Sequence, residues 1–578
     1  MENKSTAGRV EKLLENIATL LEIKGEDHFR INAYRNAAEN ISLSGLDIKK
    51  LAEEDRLDEI SGIGEAISEK IREYVTTGRL KYYEDLINEV PESLLDLTEV
   101  PGLGPKRVKA LWKDLDIKDI QSLASAVEEG SIQKLDGFGP KLQEMIRENL
   151  RKRQEKEVPK RQLLHHAWSI ADLIIDRLGK NNAVKKISAA GSLRRMKETI
   201  GDVDILVASE EPEKVTEDFL SLEEMDQIIM KGSTRTSIRF YNGIQADLRI
   251  VPPESWGTAL QYFTGSQEHN VKMRELALKK GQSLNEYSLI RQKAGEKLFF
   301  SEEKKLYEHL GLQYIPPELR QNGSEILQAS RGELPVLVEM GHIRGDLQCH
   351  TDWSDGQNTL QSMAEAAANS GLEYLLITDH SFGLGVAKGL SGTELKNQAT
   401  RIDELNEKYE GKFRLLKGVE VEIKADGSLD LREEILSELD IVVAAVHSSL
   451  GQGRGKITER LLKAVENPLV HVIAHPTGRF LNSREEADVD WDALFTAAAE
   501  NGTLLEINAN PRRLDLPDRL IRRALKLGCR FVISTDAHSS EELDYMRFGV
   551  GMARRGGLSS KEIVNTESVD SLMSILKK

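Results

Sequence analysis

Two sets of side chains in this sequence have types and spacings suited to chemistry on phosphates. In the run Gly201-Asp-Val-Asp204, two carboxylates stand two residues apart at the head of an apolar stretch. Alternate side chains of an extended strand share a face, so Asp202 and Asp204 project together while Val203, Ile205 and Val207 face a core. Two carboxylates on one face repel each other unless a hard cation lies between them. Mg²⁺ suits that place because it takes carboxylate and phosphate oxygens together. Just ahead, the small turn Gly191-Ser192 lets backbone N–H groups approach phosphate oxygens, and Arg195 adds a charge-assisted contact. A third carboxylate comes from SIRFYNGIQADLRIV, which reads as a hairpin around Asn242-Gly243. On its second strand Asp247 and Arg249 share one face, and Ala246, Leu248 and Ile250 the other. A third carboxylate of this kind orients and deprotonates an attacking hydroxyl, so the set suits transfer of a nucleotidyl group.

The second set lies in the C-terminal part. Short apolar strands alternate there with amphipathic helices: IRGDLQCH, YLLITDH, RLLKGVEVEI, DIVVAAVH, VHVIAH, TLLEINA and RFVISTDAH. Seven βα units predict a parallel barrel, a fold that places catalysis at the C-terminal ends of its strands. Of the seven His in this part, five fall at such ends, which ordinary packing does not produce. His350, Asp355, His380, Glu420, His447, His475, Asp536 and His538 are the candidate ligands. Imidazole and carboxylate without thiolate favour Mn²⁺, Zn²⁺ or Fe²⁺ in a cluster that activates water against a phosphoester. Asn508 fits a contact to a ligand or to substrate, and His471 reads as structural.

The elements that must position these groups can also be read. Residues 8–150 have helical periodicity broken by ISGIGEAISEKI (60–71), VPGLGPKRVKAL (100–111) and LDGFGPKLQEMI (135–146). Each is a hydrophobic-x-Gly-hydrophobic-Gly turn followed by an amphipathic helix, and it resembles the helix-hairpin-helix motif. Gly62, Gly64, Gly102, Gly104, Gly137 and Gly139 would let backbone N–H groups at helix N-termini hold DNA phosphates without sequence preference.

Composition sets the remaining bounds. The chain has 578 residues, 39% of them apolar and 30% charged, which predicts several domains, each with its own core. No apolar run approaches a membrane span, the N-terminus lacks a secretory apolar region, and Cys349 and Cys529 are the only cysteines. These features point to a soluble protein of the reducing cytoplasm, read here as a monomer. A net charge of −16 leaves DNA binding to local geometry and small basic clusters such as RKRQEKEVPKR at 151–161.

GSLRR…GDVDIL, the ADLRI strand and YFTGS…HN..MR resemble the family X DNA polymerases, the group that includes polymerase beta, over about residues 10–318. The resemblance implies that Asp202, Asp204 and Asp247 bind two Mg²⁺, with Asp247 nearest the primer 3′-hydroxyl. It implies that Gly191, Ser192, Arg195 and Gly201 hold the triphosphate. Tyr262 and Phe263, ahead of Thr264-Gly265, would line the sugar pocket, and Asn270 and Arg274 the minor-groove side of the base pair. Met196 stands where Gly is expected after the Arg pair. Lys70 matches the Schiff-base lysine of the family's deoxyribose-phosphate lyase domain, although Ala66 and Asn36 occupy places where Lys is usual. The C-terminal segments resemble the polymerase and histidinol phosphatase (PHP) domain over about 342–578, a distorted (β/α)7 barrel with up to three metals. Its first motif normally reads His-x-His and here reads Gln348-Cys-His350, with Gln a poor ligand.

The expected order is a helical lyase-like domain (1–90), a second helix-hairpin-helix subdomain (91–158) and an α+β nucleotidyltransferase palm (159–252). A subdomain for the nascent base pair (253–318), a polar linker (319–341) and the PHP barrel (342–578) follow. The implied protein takes gapped or nicked DNA and deoxynucleoside triphosphates. It fills short gaps in base excision repair and trims DNA with a Mn²⁺- or Zn²⁺-dependent 3′–5′ exonuclease, or an activity on abasic sites or 3′ ends. Two other readings stay open: a transferase that tails RNA with a small-molecule phosphatase barrel, and a non-catalytic DNA-end-binding protein.

Overall fold

The computed structural model describes residues 2–44, 48–60, 62–135, 137–155, 161–383, 387–409 and 411–577. The chain falls into two compact units. One comprises residues 1–160, 217–231 and 237–246, the other 161–216, 232–236 and 247–578.

The first unit is helical through its N-terminal part. The long helix Glu2–Lys24 sends Leu14, Ile17, Ala18 and Leu21 into a core shared with Ile31, Ile63, Leu103 and Leu111. That i, i+3, i+4, i+7 spacing makes one apolar stripe. The three Gly-x-Gly breaks fold alike. In each, the residue between the glycines is buried and donates its N–H three residues back: Ile63 to Ile60 at 3.1 Å, Leu103 to Val100 at 2.9 Å, Phe138 to Leu135 at 3.2 Å. The first glycines, Gly62, Gly102 and Gly137, take φ of 75°, 89° and 79°, a left-handed conformation that glycine adopts at little cost. Gly64 and Gly104 then open the helices Glu65–Thr77 and Pro105–Leu115, whose first turns carry no side-chain cap. Gly139 precedes the helix Pro140–Glu155. Ser61, Asp136 and residues 156–160 of the basic run lie outside the described residues.

In the second unit, the strands Lys186–Ala189 and Asp202–Ala208 pair antiparallel, with Ala189 opposite Ile205. The strand Gln245–Val251 lies beside Asp202–Ala208 in the same sheet. Val203, Ile205 and Val207 are fully buried, as the alternation requires. Seven strands follow in sequence order, all parallel: Gly345–Cys349, Tyr374–Ile377, Arg414–Glu422, Ile441–Ala445, Val472–Ile473, Leu504–Asn508 and Phe531–Ser534. Beyond the last strand the chain meets the first again, where Asp536 N donates to Gln348 O (3.1 Å) and His350 N to Ala537 O (2.8 Å). The barrel is thereby nearly closed.

Residues 319–341, expected as a polar connector, are exposed along much of their length but packed at particular side chains. Arg320 is fully buried and donates to Glu303 at 2.5 Å, while Glu325 is buried against His269 at 2.7 Å. Leu334, Leu337 and Val338 are buried too, and Val338 N bonds to Leu558 O at 3.0 Å. Polarity misleads at Arg320 and Glu325 because their charges are paired inside the protein instead of solvated.

Candidate active sites

In the palm, the Asp-x-Asp strand and the hairpin strand bring Asp202, Asp204 and Asp247 together, each offering an oxygen within 4.8 Å of the others. Asp247 is buried and ion-paired with Arg235 at 2.5 Å. Burial, reinforced by Asp202 and Asp247, pushes the Asp204 carboxyl up to about 7, and burial raises Asp202 as well. Such crowding of like charges is relieved by a cation, so this donor set fits a hard metal ion. The loop Gly191–Lys197, whose first four residues make a helical turn, folds directly over the strand. Gly191 has φ 58°, and a Cβ there would run into the Asp204 carboxylate, so only glycine permits this approach. Ala190 N bonds to Asp204 O at 2.8 Å.

The loop also reaches the helix Trp256–Thr264, since the Arg195 guanidinium donates to the Thr264 carbonyl. Arg194 donates to Thr264 Oγ1 at 2.6 Å and pairs with buried Glu303 at 2.9 Å. Gly265 follows with φ 70°, close under Arg195. Tyr262 and Phe263 stack edge to face and are half-buried, with Arg249 over the Phe263 ring at 5.1 Å. Asn270 is held by Gln261 and by the Tyr262 carbonyl, both at 2.7 Å, whereas Arg274 is exposed on the same helix. Ser192 and Gly201 are half-buried at the loop and at the head of the strand.

The barrel gathers its candidates into three overlapping groups whose ligand atoms lie within 4.8 Å: His350, Asp355, His380 and His538; His380, Glu420 and His447; His350, Glu420 and Asp536. Glu420 is central. One oxygen lies 3.1 Å from His380 and 3.4 Å from His350, the other 2.9 Å from His475 and 3.3 Å from His447. His475 thus touches Glu420 without joining any of the three groups. Two residues of the cage have strained backbones, His475 with φ 28° and Asp536 with φ 56°, as is common where a site over-determines its geometry.

The electrostatics fit a cation cluster. Burial pushes His380 down to about 3 and His475 down to about 4. Burial also opposes charge on His447 and His538, but Glu420 with Glu422 outweigh it at His447, lifting it to about 9, and Asp355 with Asp536 and Glu542 do so at His538, lifting it to about 10. A divalent cation bound among these carboxylates would take the place of such protons. Among the described residues, buried atoms with no hydrogen-bond partner include both ring nitrogens of His350, Glu420 Oε2, His475 Nδ1 and Gln348 Oε1. Orphaned polar atoms of this density are costly unless an ion completes them. Gln348 is buried in the cage wall and turns its amide nitrogen to Asp536 Oδ1 at 3.4 Å.

Several residues of the site escaped the sequence reading. Glu422 accepts from His447 Nδ1 at 2.8 Å and fixes that ring, a role written in the alternation V-E-V-E, which puts Glu420 and Glu422 on one face. Asp379, fully buried, accepts from Thr351 N (2.8 Å), Thr351 Oγ1 (2.6 Å), Ser354 (2.5 Å) and Gln398 (2.6 Å), which shapes the loop carrying Asp355. Glu506 shares its strand face with Asn508, which bonds Glu506 at 3.2 Å and Asp536 at 3.0 Å. Burial holds the Glu506 carboxyl well above its ordinary range. Arg513, 3.5 Å from Asp536, had no signal in the sequence. His471 accepts from Val442 N at 3.0 Å, in keeping with a structural place.

In the first unit, Lys70 lies on the helix after the first Gly-x-Gly. Its Nζ donates to Ala66 O at 2.8 Å and lies 5.2 Å from the Tyr82 ring centroid.

A carboxylate triad under a glycine-started loop and an imidazole–carboxylate cage at the mouth of a parallel barrel give the protein two separate groups of residues that could hold metal ions. Family models agree along the chain: a helix-hairpin-helix domain at residues 1–80, a SAM-like helix-hairpin-helix tandem at 94–152, a DNA polymerase beta thumb at 259–321 and a PHP domain at 346–510. The chain is 40% identical to the DNA polymerase/3′-5′ exonuclease PolX of Bacillus subtilis (strain 168) over 569 residues, 98% of each chain. The barrel is also similar to smaller proteins. A probable phosphatase of Thermoanaerobacter sp. (strain X514) is 28% identical over 244 residues, 40% of this chain and 94% of its own. A probable phosphatase of Acetivibrio thermocellus is 30% identical over 207 residues, 34% of this chain and 80% of its own. The chain belongs to the family X DNA polymerases of the PolX type, which carry a PHP domain.

Proposed function

We propose that this chain is a DNA-directed DNA polymerase that fills short gaps in base excision repair, and that its barrel trims DNA as a 3′–5′ exonuclease. The observation that carries this reading is the meeting of Asp202, Asp204 and Asp247 beneath the Gly191–Lys197 loop, in a chain alike end to end to a polymerase/exonuclease. Asp202, Asp204 and Asp247 would hold Mg²⁺, which neutralises charge on the triphosphate, while the barrel residues would hold Mn²⁺ or Zn²⁺, which supply a nucleophile at neutral pH. Ser192, Arg195 and Gly201 would receive the triphosphate, and Tyr262, Phe263 and Gly265 the sugar. Asn270 and Arg274 would run along the base pair's minor-groove side. Asp247, fixed by Arg235, would face the primer 3′-hydroxyl and accept its proton. The uncapped helix starts at Gly64 and Gly104 would bind backbone phosphates, which accounts for DNA binding by an acidic chain.

In the barrel, Glu422 orients His447, and Arg513 offers a cation to a phosphoester beside Asp536. Action on abasic sites or on 3′-phosphate ends uses the same groups. The test is a one-nucleotide gap in labelled DNA, supplied with Mg²⁺ and then Mn²⁺, with deoxynucleotides and ribonucleotides in competition. Templated addition of one deoxynucleotide is expected. Preferential tailing of single-stranded RNA, or no addition with either metal, overturns the reading.

A further inference from the structure

The loop Gly191–Lys197 and the residue after it are held from the barrel side at Arg195, Met196 and Glu198. Arg555 Nη1 donates to the Arg195 carbonyl at 2.8 Å, and its Nη2 pairs with Asp518 at 2.5 Å. The Met196 side chain lies against Gly551: a Cβ on that glycine would stand 2.9 Å from Met196 Cγ. Glu198 forms a two-pronged ion pair with Arg479 at 2.8 and 3.3 Å. Arg479 is itself buried and bonds the Arg513 carbonyl at 2.9 Å.

Gly551 and Arg555 belong to the helix Met546–Gly556, and Gly549 on that helix packs closely against Ile533 and Ala509 of the barrel. One helix therefore rests on the barrel strands through Gly549 and on the palm loop through Gly551. Met196 deepens the point. Its φ of 52° is a left-handed conformation that glycine occupies freely and methionine only under strain. At that strained position the Met196 side chain is seated on Gly551.

We propose that the Met546–Gly556 helix of the barrel is a working part of the palm: through Gly551 on Met196 and Arg555 on the Arg195 carbonyl it fixes the loop that receives the nucleoside triphosphate. Met196, Gly551 and Arg555 are positioning residues, and they act through the Arg195 guanidinium and the backbone N–H groups of the loop. Because a loop set in advance costs less order on binding, releasing it weakens nucleotide affinity more than the chemical step. The inference rests on the polymerase reading above. A wild-type protein that adds no nucleotide defeats that reading, whereas active wild type with indifferent variants defeats this one alone.

The test uses the full chain on gapped DNA, reading KM and kcat for the incoming deoxynucleotide alongside hydrolysis of a single-stranded 3′ end. Met196→Gly removes the plug, and Gly551→Leu drives the loop away from its seat. Each is expected to raise KM roughly tenfold, to change kcat less than about threefold and to leave hydrolysis near wild type. The paired variant Met196→Gly/Gly551→Leu, in which the added bulk enters the vacated space, is expected to recover part of the loss seen with Gly551→Leu. Arg555→Lys, which keeps charge but loses the fork to Arg195 O and Asp518, provides a version with little change of volume and is expected to raise KM as well. If KM stays within about twofold of wild type in Met196→Gly and Arg555→Lys, the proposal is overturned. It is equally overturned if every variant lowers hydrolysis in step with polymerisation, since the helix would then only hold the fold together.

Discussion

Glu303→Leu probes the buried ion cluster that ties Arg194 of the palm loop to Arg320. Glu303 is buried and receives Arg320 at 2.5 Å, Arg194 at 2.9 and 3.2 Å, and the Tyr314 hydroxyl at 3.0 Å. Burial works against its charge, but Arg320 and Arg194 outweigh it and hold the carboxyl down at about 2 against an ordinary 4.5. A displacement of that size corresponds to roughly 3 kcal/mol of stabilisation. The group's pKa is depressed in the folded state, so this contribution is complete above about pH 4.5 and lost as the pH falls through 2.

Removing the carboxylate at neutral pH also strands Arg320, which has no solvent exposure, and breaking a buried pair in this way costs about 3–5 kcal/mol. Both routes give the same order of magnitude. A chain of several domains does not unfold in two states, so the loss is best read locally, as amide hydrogen exchange over residues 267–331. Exchange there should accelerate roughly a hundredfold or more, since about 1.4 kcal/mol is a factor of ten. Gap filling should fall because Arg194 also holds Thr264 at 2.6 Å, with barrel hydrolysis unchanged. Glu303→Leu/Arg320→Leu should recover part of the protection, because the fully buried charge goes with its partner and only the partly buried Arg194 loses its carboxylate. An acceleration below about threefold, or a double variant as labile as the single one, refutes the reasoning.

The two sites should separate cleanly. Asp204→Ala is expected to reduce nucleotide addition by more than roughly a hundredfold and spare DNA hydrolysis, and His380→Ala to do the reverse. Loss of hydrolysis in folded, metal-replete Asp204→Ala would mean a single shared site. Lys70→Ala should leave gap filling within about twofold of wild type, since its contacts are with Ala66 and Tyr82. On incised abasic DNA, a borohydride-trapped adduct given by wild type and missing from the variant would mark Lys70 as a lyase nucleophile, and no adduct in either would remove that activity. Gln348→His should raise the metal retained after dialysis, measured by elemental analysis, because imidazole binds such ions better than an amide oxygen. Unchanged stoichiometry and affinity would place residue 348 off the cluster.

The sequence by itself determined what periodicity and turn chemistry encode. Asp202 and Asp204 lie two apart on a strand whose alternate residues are buried, the three Gly-x-Gly breaks make the same turn, and seven apolar runs become seven parallel strands. Each is a local property, fixed by which face of one element is apolar or by the φ a turn demands. What the sequence could not supply is convergence. Which oxygen of Glu420 faces which histidine depends on the order and register of strands far apart in the chain. Glu422 and Asp379 matter only because a ring or a loop from another strand comes to rest on them. Arg320 and Glu325 read as part of a polar connector until their partners appear, since hydropathy records a charge and not its neutralisation. Met196 was visible only as a residue out of place. Its reason lies in Gly551, a residue that no periodicity connects to it and that the fold of the second unit sets against it.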